Sequence, residues 1–329
     1  MKAWQVASLG EPTAVMRLED VPVPEPGPGQ VLVRVGATAL NFPDVLMSRG
    51  DYQLKPDLPF TSGIEACGTV LAYGEDVSGF VPGDRVFGLT ELPAGGFAEA
   101  ALLDAAVTFP VPSDLDDAEA ASLFVSYQTS WFALHRRARL AAGETLLVHA
   151  AAGGVGSAAV ELGKAAGARV IAVVGGREKA AAAGNLGADV VVDRYTEDFV
   201  KVVNQVTDGR GVDVVYDPVG GETYTRSTKC IAFEGRIVVV GFAGGEIQTA
   251  RLNHPLIKNY SILGFVWGRY RRTYPELVRE CNNELTRLVA ERKIRPLVGE
   301  RLPFEEIPAA LDRLGAGKNI GRLVFVADR

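Results

Sequence analysis

The chain has 329 residues, 47% of them apolar and 22% charged, with 40 acidic against 34 basic side chains for a net charge of -6. That length suits two compact units, and that composition suits an ordinary globular core rather than a disordered chain. The modest acidity and the lack of any dense Lys/Arg run exclude the electrostatic footprint of a nucleic-acid binder or an anionic-membrane binder.

The chain opens as Met1-Lys2-Ala3-Trp4-Gln5, which reads as a strand and not as a signal peptide. No stretch reaches the ~18 uncharged apolar residues that span a bilayer, so no membrane partner and a cytoplasmic location are expected. Cys67, Cys230 and Cys281 are isolated and form no C-x-x-C pair, as suits buried, reduced thiols. From Met1 to about Ala120, short alternating runs such as Val31 to Val35 are separated by turn clusters such as Pro24 to Gly29, the pattern of an antiparallel, barrel-like β domain. Gly68 to Tyr73 and Asp84 to Gly88 are further strands, the latter entered through a Pro82-Gly83 turn. Ala120 to Leu140 reads as helix. Beyond it, uninterrupted apolar strands at Thr145 to Ala150, Arg169 to Val174, Val190 to Asp193, Val212 to Asp217 and Arg236 to Gly241 alternate with Ala-rich helices. Strands apolar on both faces belong to a parallel sheet covered by helices, so this section is a doubly wound α/β fold. Ser261 to Phe265 is a last strand, a helix follows from about Tyr274 to Arg292, and the tail returns to short mixed elements that rejoin the first domain.

The strand Thr145 to Ala150 runs directly into Ala151, Ala152, Gly153, Gly154, Val155 and Gly156, with a small-residue helix beyond. Strand, glycine turn and helix in this order make a dinucleotide fingerprint. Gly153 has no Cβ to hold off a pyrophosphate, Gly156 permits close helix packing, and the helix N-terminus presents N–H groups to the phosphates. Ala151 replaces the usual first glycine. An NAD site would carry Asp or Glu at the end of the second strand. Here that strand ends in Gly175, Gly176 and Arg177, with Lys179 following. No acid stands at that strand end to repel a 2'-phosphate and two cations are available to bind it, so NADPH is the expected cofactor.

Leu40 to Leu46, Pro59 to Gly68 and Pro82 to Val86, in register with the fingerprint, with Val215 to Gly220, Val240 to Phe242 and Asn319 to Arg322, resemble the zinc-free quinone oxidoreductase (zeta-crystallin-like) branch of the medium-chain dehydrogenase/reductase superfamily. The resemblance implies a GroES-like β-barrel catalytic domain from residues 1–122 and 267–329, and an NADP(H)-binding Rossmann domain over 123–266. Zinc alcohol dehydrogenases of that superfamily carry Cys near Asn41 and Gly-His-Glu where this chain has Gly63, Ile64 and Glu65, and Phe87 to Ala101 lacks their four-cysteine lobe. Without a Lewis acid, the chemistry that remains is hydride delivery to an electron-poor acceptor, a quinone or an α,β-unsaturated carbonyl.

The resemblance also assigns residues. Asn41 would reach the ribose and nicotinamide as well as substrate, and Thr129 would bond the carboxamide, or each is instead a buried turn or helix-interior polar group. Tyr52 would line the substrate cleft as a donor to the developing oxyanion, or else plug a gap between loops. Val219, Gly241, Phe242, Ala243, Phe265, Val266, Trp267 and Asn319 complete the cofactor contacts. The branch often places Tyr for the 2'-phosphate where this chain has Arg194, with Tyr195 one position later, so Arg194 either substitutes as the phosphate ligand or simply faces solvent. Asp44 caps or orients a helix start, and no metal is expected. Arg269, Arg271 and Arg272 suit either the phosphates of a coenzyme A thioester, in an enoyl thioester reductase, or a plain solvated face. A nucleotide-binding protein without turnover is the alternative from another class. Pairing of the edge strand Ser261 to Phe265 across a two-fold axis would give a homodimer.

Overall fold

The computed structural model describes residues 1–328. The alternating N-terminal runs form β1 (Lys2–Val6), β2 (Met16–Asp20), β3 (Gln30–Ala39), β4 (Phe60–Thr61), β5 (Glu65–Tyr73), β6 (Arg85–Thr90) and β7 (Ala100–Pro110). Helix α1 (Pro12–Val15) precedes β2, and α2 (Phe42–Arg49) follows β3. Helix α3 (Asp117–Trp131) widens into a π-helical turn over Phe132–Arg137. Strand and helix then alternate as β8 (Thr145–His149), α4 (Gly154–Ala165), β9 (Arg169–Val174), α5 (Arg177–Asn185), β10 (Val190–Asp193), α6 (Phe199–Val206), β11 (Val212–Asp217), α7 (Glu222–Ser227) and β12 (Ile231–Val239). The chain ends with α8 (Asn253–Lys258), β13 (Ser261–Gly264), α9 (Trp267–Thr273), α10 (Pro275–Ala290), β14 (Val298–Leu302), α11 (Ile307–Gly315) and β15 (Arg322–Val326).

Two compact units divide these elements. The first comprises Met1–Val125, Tyr274–Thr286 and the residues from Pro296 on; the second comprises Ser126–Thr273 and Arg287–Arg295. In the first unit one sheet has the order β14-β15-β3-β5-β6-β7, and an added β3–β7 pairing closes it into a barrel. Closure removes the exposed strand edges that an open antiparallel sheet would carry. Val33, Val35, Phe60, Val86, Phe97, Leu103 and Phe325 fill its core.

The second unit is a six-stranded parallel sheet in the order β10-β9-β8-β11-β12-β13. β8 and β9 are buried almost throughout, as expected of strands covered on both faces. The chain reverses its direction of travel across the sheet between β8 and β11. In such sheets ligands bind at the carboxyl ends of the strands beside that switch point.

The sequence pattern assigned all of 267–329 to the first domain, whereas 267–273 and 287–295 cluster with the second unit. The reason is specific bonding. Trp267 Nε1 donates to Gln128 Oε1 at 3.2 Å, and the Arg295 N–H donates to Glu161 Oε1 at 3.1 Å. Among the described residues no helix is long and apolar enough to cross a membrane.

Candidate functional site

In the second unit, the carboxyl end of β8 meets a turn built almost without side chains. Ala150 takes a left-handed φ of 50°, Gly153 N–H closes on Ala150 O at 2.9 Å, and α4 starts at Gly154. A methyl group on Gly156 would lie 2.1 Å from Ala150 O, so only glycine lets α4 approach the turn this closely. A methyl group on Gly153 would meet only Ala150 O, at 3.3 Å, which leaves its outer side open. The first N–H groups of α4, from Gly154, Val155 and Gly156, have no intrahelical acceptors and present the positive end of the helix dipole. The turn is braced from α3, where Ser130 Oγ donates to Val155 O at 2.8 Å and lies 2.9 Å from Tyr216 Oη. Thr129, the expected carboxamide partner, stands half-buried beside Ser130.

His149, the last residue of β8, is fully buried with its ring edge-on to Phe199 at 4.9 Å. Its Nε2 lies 2.8 Å from Ser227 Oγ, and that hydroxyl spends its own proton on Thr223 O at 2.8 Å. Nε2 therefore carries the hydrogen. Burial, with a smaller effect from Arg226, holds the imidazole down to about 3, so the ring is neutral at ordinary pH. Its work is to join β8 to α7.

The carboxyl end of β9 carries the second feature. Gly176 adopts φ 95° and heads α5. Over the neighbouring Gly175, an added methyl group would lie 2.8 Å from Arg194 Nε and 3.0 Å from the Tyr195 ring. Both side chains thus lie across the glycine pair, and the Arg194 guanidinium sits 5.1 Å above the Tyr195 ring. Asp193 shapes this cradle from below, since its Oδ1 accepts Gly176 N–H at 2.8 Å and Tyr195 N–H at 3.1 Å. Lys179 approaches from α5, and burial holds its ammonium below the usual range, with Tyr195 and Arg194 as the next influences. Arg177 is exposed at the start of α5. Arg194, a sequence candidate for the phosphate, thus lies against Gly175, and so does Tyr195, which the sequence reading did not name as a candidate. Both follow directly from the end of β10, and that strand end was the available signal.

These residues suit an adenosine 2'-phosphate and a pyrophosphate: a cationic, aromatic cradle lies over side-chain-free backbone, and a helix N-terminus lies beside it. Val219 and Gly241 are half-buried beyond β11 and β12. Phe242 and Ala243 are exposed, Val266 is 48% exposed, and Phe265 and Trp267 are buried at the exit of β13.

In the first unit, a buried polar cluster organises the start of α2. Asp44 and Asn41 form a capping box in which Asp44 Oδ2 accepts Asn41 N–H at 2.8 Å, while Asp44 Oδ1 accepts Ser62 Oγ–H at 2.6 Å and Gly63 N–H at 2.9 Å. Burial nevertheless raises the Asp44 carboxyl above its usual range. Asn41 Nδ2 donates to Ala39 O at 3.0 Å and to Glu65 Oε1 at 2.9 Å, and Asn41 Oδ1 accepts Arg322 Nη2–H at 2.9 Å. Arg322 also donates to Glu65, whose Oε2 takes Val125 N–H at 2.7 Å. Both amide hydrogens of Asn41 are committed inside this network, which fits the buried structural alternative for this residue, although the sequence did not name Glu65 and Arg322 as its partners. Arg322 lies 281 residues along the chain from Asn41, so no local pattern announces the contact. Tyr52 is half-buried against the barrel core, and burial raises its phenol above the usual range. Asn319 Nδ2 donates to Gly321 O at 2.8 Å.

An alcohol dehydrogenase GroES-like domain matches residues 27–113, and a zinc-binding dehydrogenase domain matches residues 154–283. Quinone oxidoreductase-like protein 2 of Bos taurus is 38% identical over 326 residues, which is 98% of this chain and 92% of that protein. Among solved structures, a mycobacterial protein complexed with NADPH superposes with a TM-score of 0.92 at 33% identity, covering 99% of this chain and 100% of that one. The Escherichia coli quinone oxidoreductase complexed with NADPH gives 0.91 at 29% identity, again covering 99% and 100%. With relatives matched over nearly their whole length, the chain belongs to the quinone oxidoreductase branch of the medium-chain dehydrogenase/reductase superfamily.

Proposed function

We propose that the protein is an NADPH-dependent reductase that transfers hydride to a quinone or an α,β-unsaturated carbonyl without a metal ion. The observation that carries the cofactor choice is the Lys179, Arg194 and Tyr195 cradle over Gly175 and Gly176, where an NAD site would place a carboxylate. Arg177 adds charge at the rim. The pyrophosphate would rest on the Gly153 to Gly156 turn with Ala151 beneath it, and the nicotinamide would be backed by Val219, Gly241, Phe242, Ala243 and Phe265 to Trp267. Thr129 would hold the carboxamide, and Asn319 would complete the contacts. When bound, the reduced nicotinamide supplies the hydride.

The residues supply position and a fixed polar surround. Asn41, held by Glu65 and Arg322, would be a rigid polar contact, and Tyr52 would donate to the oxygen that gains charge. The donor set at Asn41, Ile64 and Glu65 suits no dication. It offers one amide, one hydrocarbon and a single carboxylate that already holds the Arg322 guanidinium and a backbone N–H. We infer further a cytoplasmic homodimer. Among the described residues β13 pairs only with β12, and the helix leading into it exposes Leu256 and Ile257 at 78% and 72%.

Oxidation of NADPH and NADH, followed at the nicotinamide absorbance band with a panel of quinones and enones, tests the reading. NADPH turnover that persists in chelator is expected. No turnover with any acceptor, or activity that appears only on adding zinc, would overturn it. Lys179→Ala combined with Arg194→Ala should raise the NADPH Michaelis constant on the order of 10–100-fold, as for loss of one or two charge-assisted bonds, and spare NADH. Equal effects on both cofactors would count against the cradle.

A further inference from the structure

The second unit carries another basic group, at the opposite side of its sheet. α9 leaves the carboxyl end of β13 and brings Arg269, Arg271 and Arg272. The π-helical turn after α3 packs against α9, with the Phe132 and Tyr270 rings 4.6 Å apart. That turn contributes Arg136 and Arg137, and Arg137 Nε donates to Gly264 O, at the end of β13, at 3.1 Å. Residues 126–143 and 259–273, which build this face, contain no Asp or Glu, although the chain as a whole has a net charge of -6. Arg136, Arg269 and Arg272 are exposed and hold no carboxylate among the described residues. Several arginines elsewhere are neutralised by an acid, among them Arg49, Arg85, Arg210, Arg226, Arg236 and Arg301, while Arg17 and Arg169 bond backbone oxygens.

The strand order shows what this charge is not for. From β9 to β13 is four steps across the sheet, about 19 Å at the usual strand spacing. On the reading of the cofactor site given above, on which this step rests, both anionic groups of NADPH are held at the β8 and β9 ends. No charge of the cofactor is left for the arginines beyond β13, which lie on the side where the nicotinamide meets its acceptor. Guanidinium groups bind phosphates with paired, charge-assisted hydrogen bonds.

We propose that this face binds the phosphates of an acceptor carried on a nucleotide tail, an α,β-unsaturated acyl thioester of the coenzyme A type. Hydride adds to the β-carbon, a proton adds to the α-carbon, and the saturated thioester and NADP+ leave. The thioester bond is untouched.

The test uses the full chain and Arg269→Gln/Arg272→Gln, two exposed positions outside the cofactor contacts. Crotonyl-coenzyme A is compared with crotonyl-N-acetylcysteamine, which has the same reacting group and no phosphate, and with a small quinone. The coenzyme A ester should show a KM at least about tenfold lower than the short thioester, as for one or two charge-assisted bonds. The double variant, or 1 M salt, which cuts the screening length to about 3 Å, should erase that advantage in KM with kcat unchanged, and leave the short thioester and the quinone unaffected. Calorimetric titration with free coenzyme A, and separately with inorganic phosphate, gives a readout independent of turnover; the variant should lose coenzyme A binding, and phosphate alone should bind far more weakly. Equal KM values for the two thioesters, equal losses in the variant, or phosphate binding as tight as coenzyme A would overturn the proposal. If quinones are reduced while coenzyme A neither binds nor reacts as its ester, the carrier assignment falls and the NADPH reductase stands. If no acceptor consumes NADPH but coenzyme A binds through these arginines, the anion site stands and the reductase reading falls.

Discussion

Two glycines of the turn after β8 do different work, and single methyl groups separate them. On Gly156 a methyl group would collide with the backbone oxygen of Ala150 at 2.1 Å, and backbone cannot rotate away. Gly156→Ala should therefore cost about 1–3 kcal/mol of stability, as overpacking does, and weaken NADPH through the displaced turn. On Gly153 the same methyl group meets nothing closer than 3.3 Å, and the residue's φ of -88° suits alanine. Gly153→Ala should melt with the wild type yet raise the NADPH dissociation constant at least about tenfold, because the methyl group stands where the pyrophosphate would approach. Thermal melts and fluorescence titrations check the pair, and equal melting losses in both variants would refute the division of labour. Both glycines were legible because spacing alone marks them. The Asn41, Glu65 and Arg322 cluster was not, because contacts between residues so far apart in sequence leave no periodic trace. Tyr195 was half legible: its position near the end of β10 was visible, but its orientation over Gly175 depends on the bonds that Asp193 makes.

The elements were read from apolar runs, which gave β8, β9, β10 and β11 within a residue of their ends. The bond that ties helices together at Glu161 was hidden, since a lone Glu on a helix ordinarily faces solvent. Here Glu161 on α4 accepts from Tyr127 Oη on α3 and from Arg295 N–H, and burial lifts its carboxyl to about 7 against these two donors. A carboxyl raised in the folded state binds its proton more tightly there than in the unfolded chain. Its penalty is nil below about 4.5, grows as pH rises from there to about 7, and stays constant above. The 2.5-unit interval corresponds to on the order of 3 kcal/mol. Glu161→Gln keeps an oxygen for Arg295 N–H and an N–H for Tyr127, which reproduces the protonated arrangement without the titration. Relative to wild type, the variant should gain several degrees in melting temperature at pH 8 and little at pH 5. Melting curves that differ by the same amount at both pH values would show that Glu161 does not titrate in this window.

At the scale of the whole molecule, the closed barrel and the open sheet pose different surface problems. β13 lies at one end of the six-stranded parallel sheet, and among the described residues it pairs with β12 alone. The residues before it do nothing to discourage pairing: Ile247, Leu252, Leu256 and Ile257 are 72%, 74%, 78% and 72% exposed. Protected edges carry charge, bulges or a covering element, and this one carries apolar side chains, which suits the face of a symmetric pair. Burying a large aliphatic side chain is worth about 1.5–3 kcal/mol, so losing two of them should weaken association by at least about 3 kcal/mol, more than a hundredfold in dissociation constant. Leu256→Glu together with Ile257→Glu should cost little folding stability, because both side chains already face solvent within the chain. In sedimentation at micromolar concentration, the wild type should run as a dimer and the double variant as a monomer that still binds NADPH, since the glycine turn and the cradle lie within one chain. A wild type that sediments as a monomer at every concentration would remove the dimer. A variant that remains dimeric would move the interface away from β13.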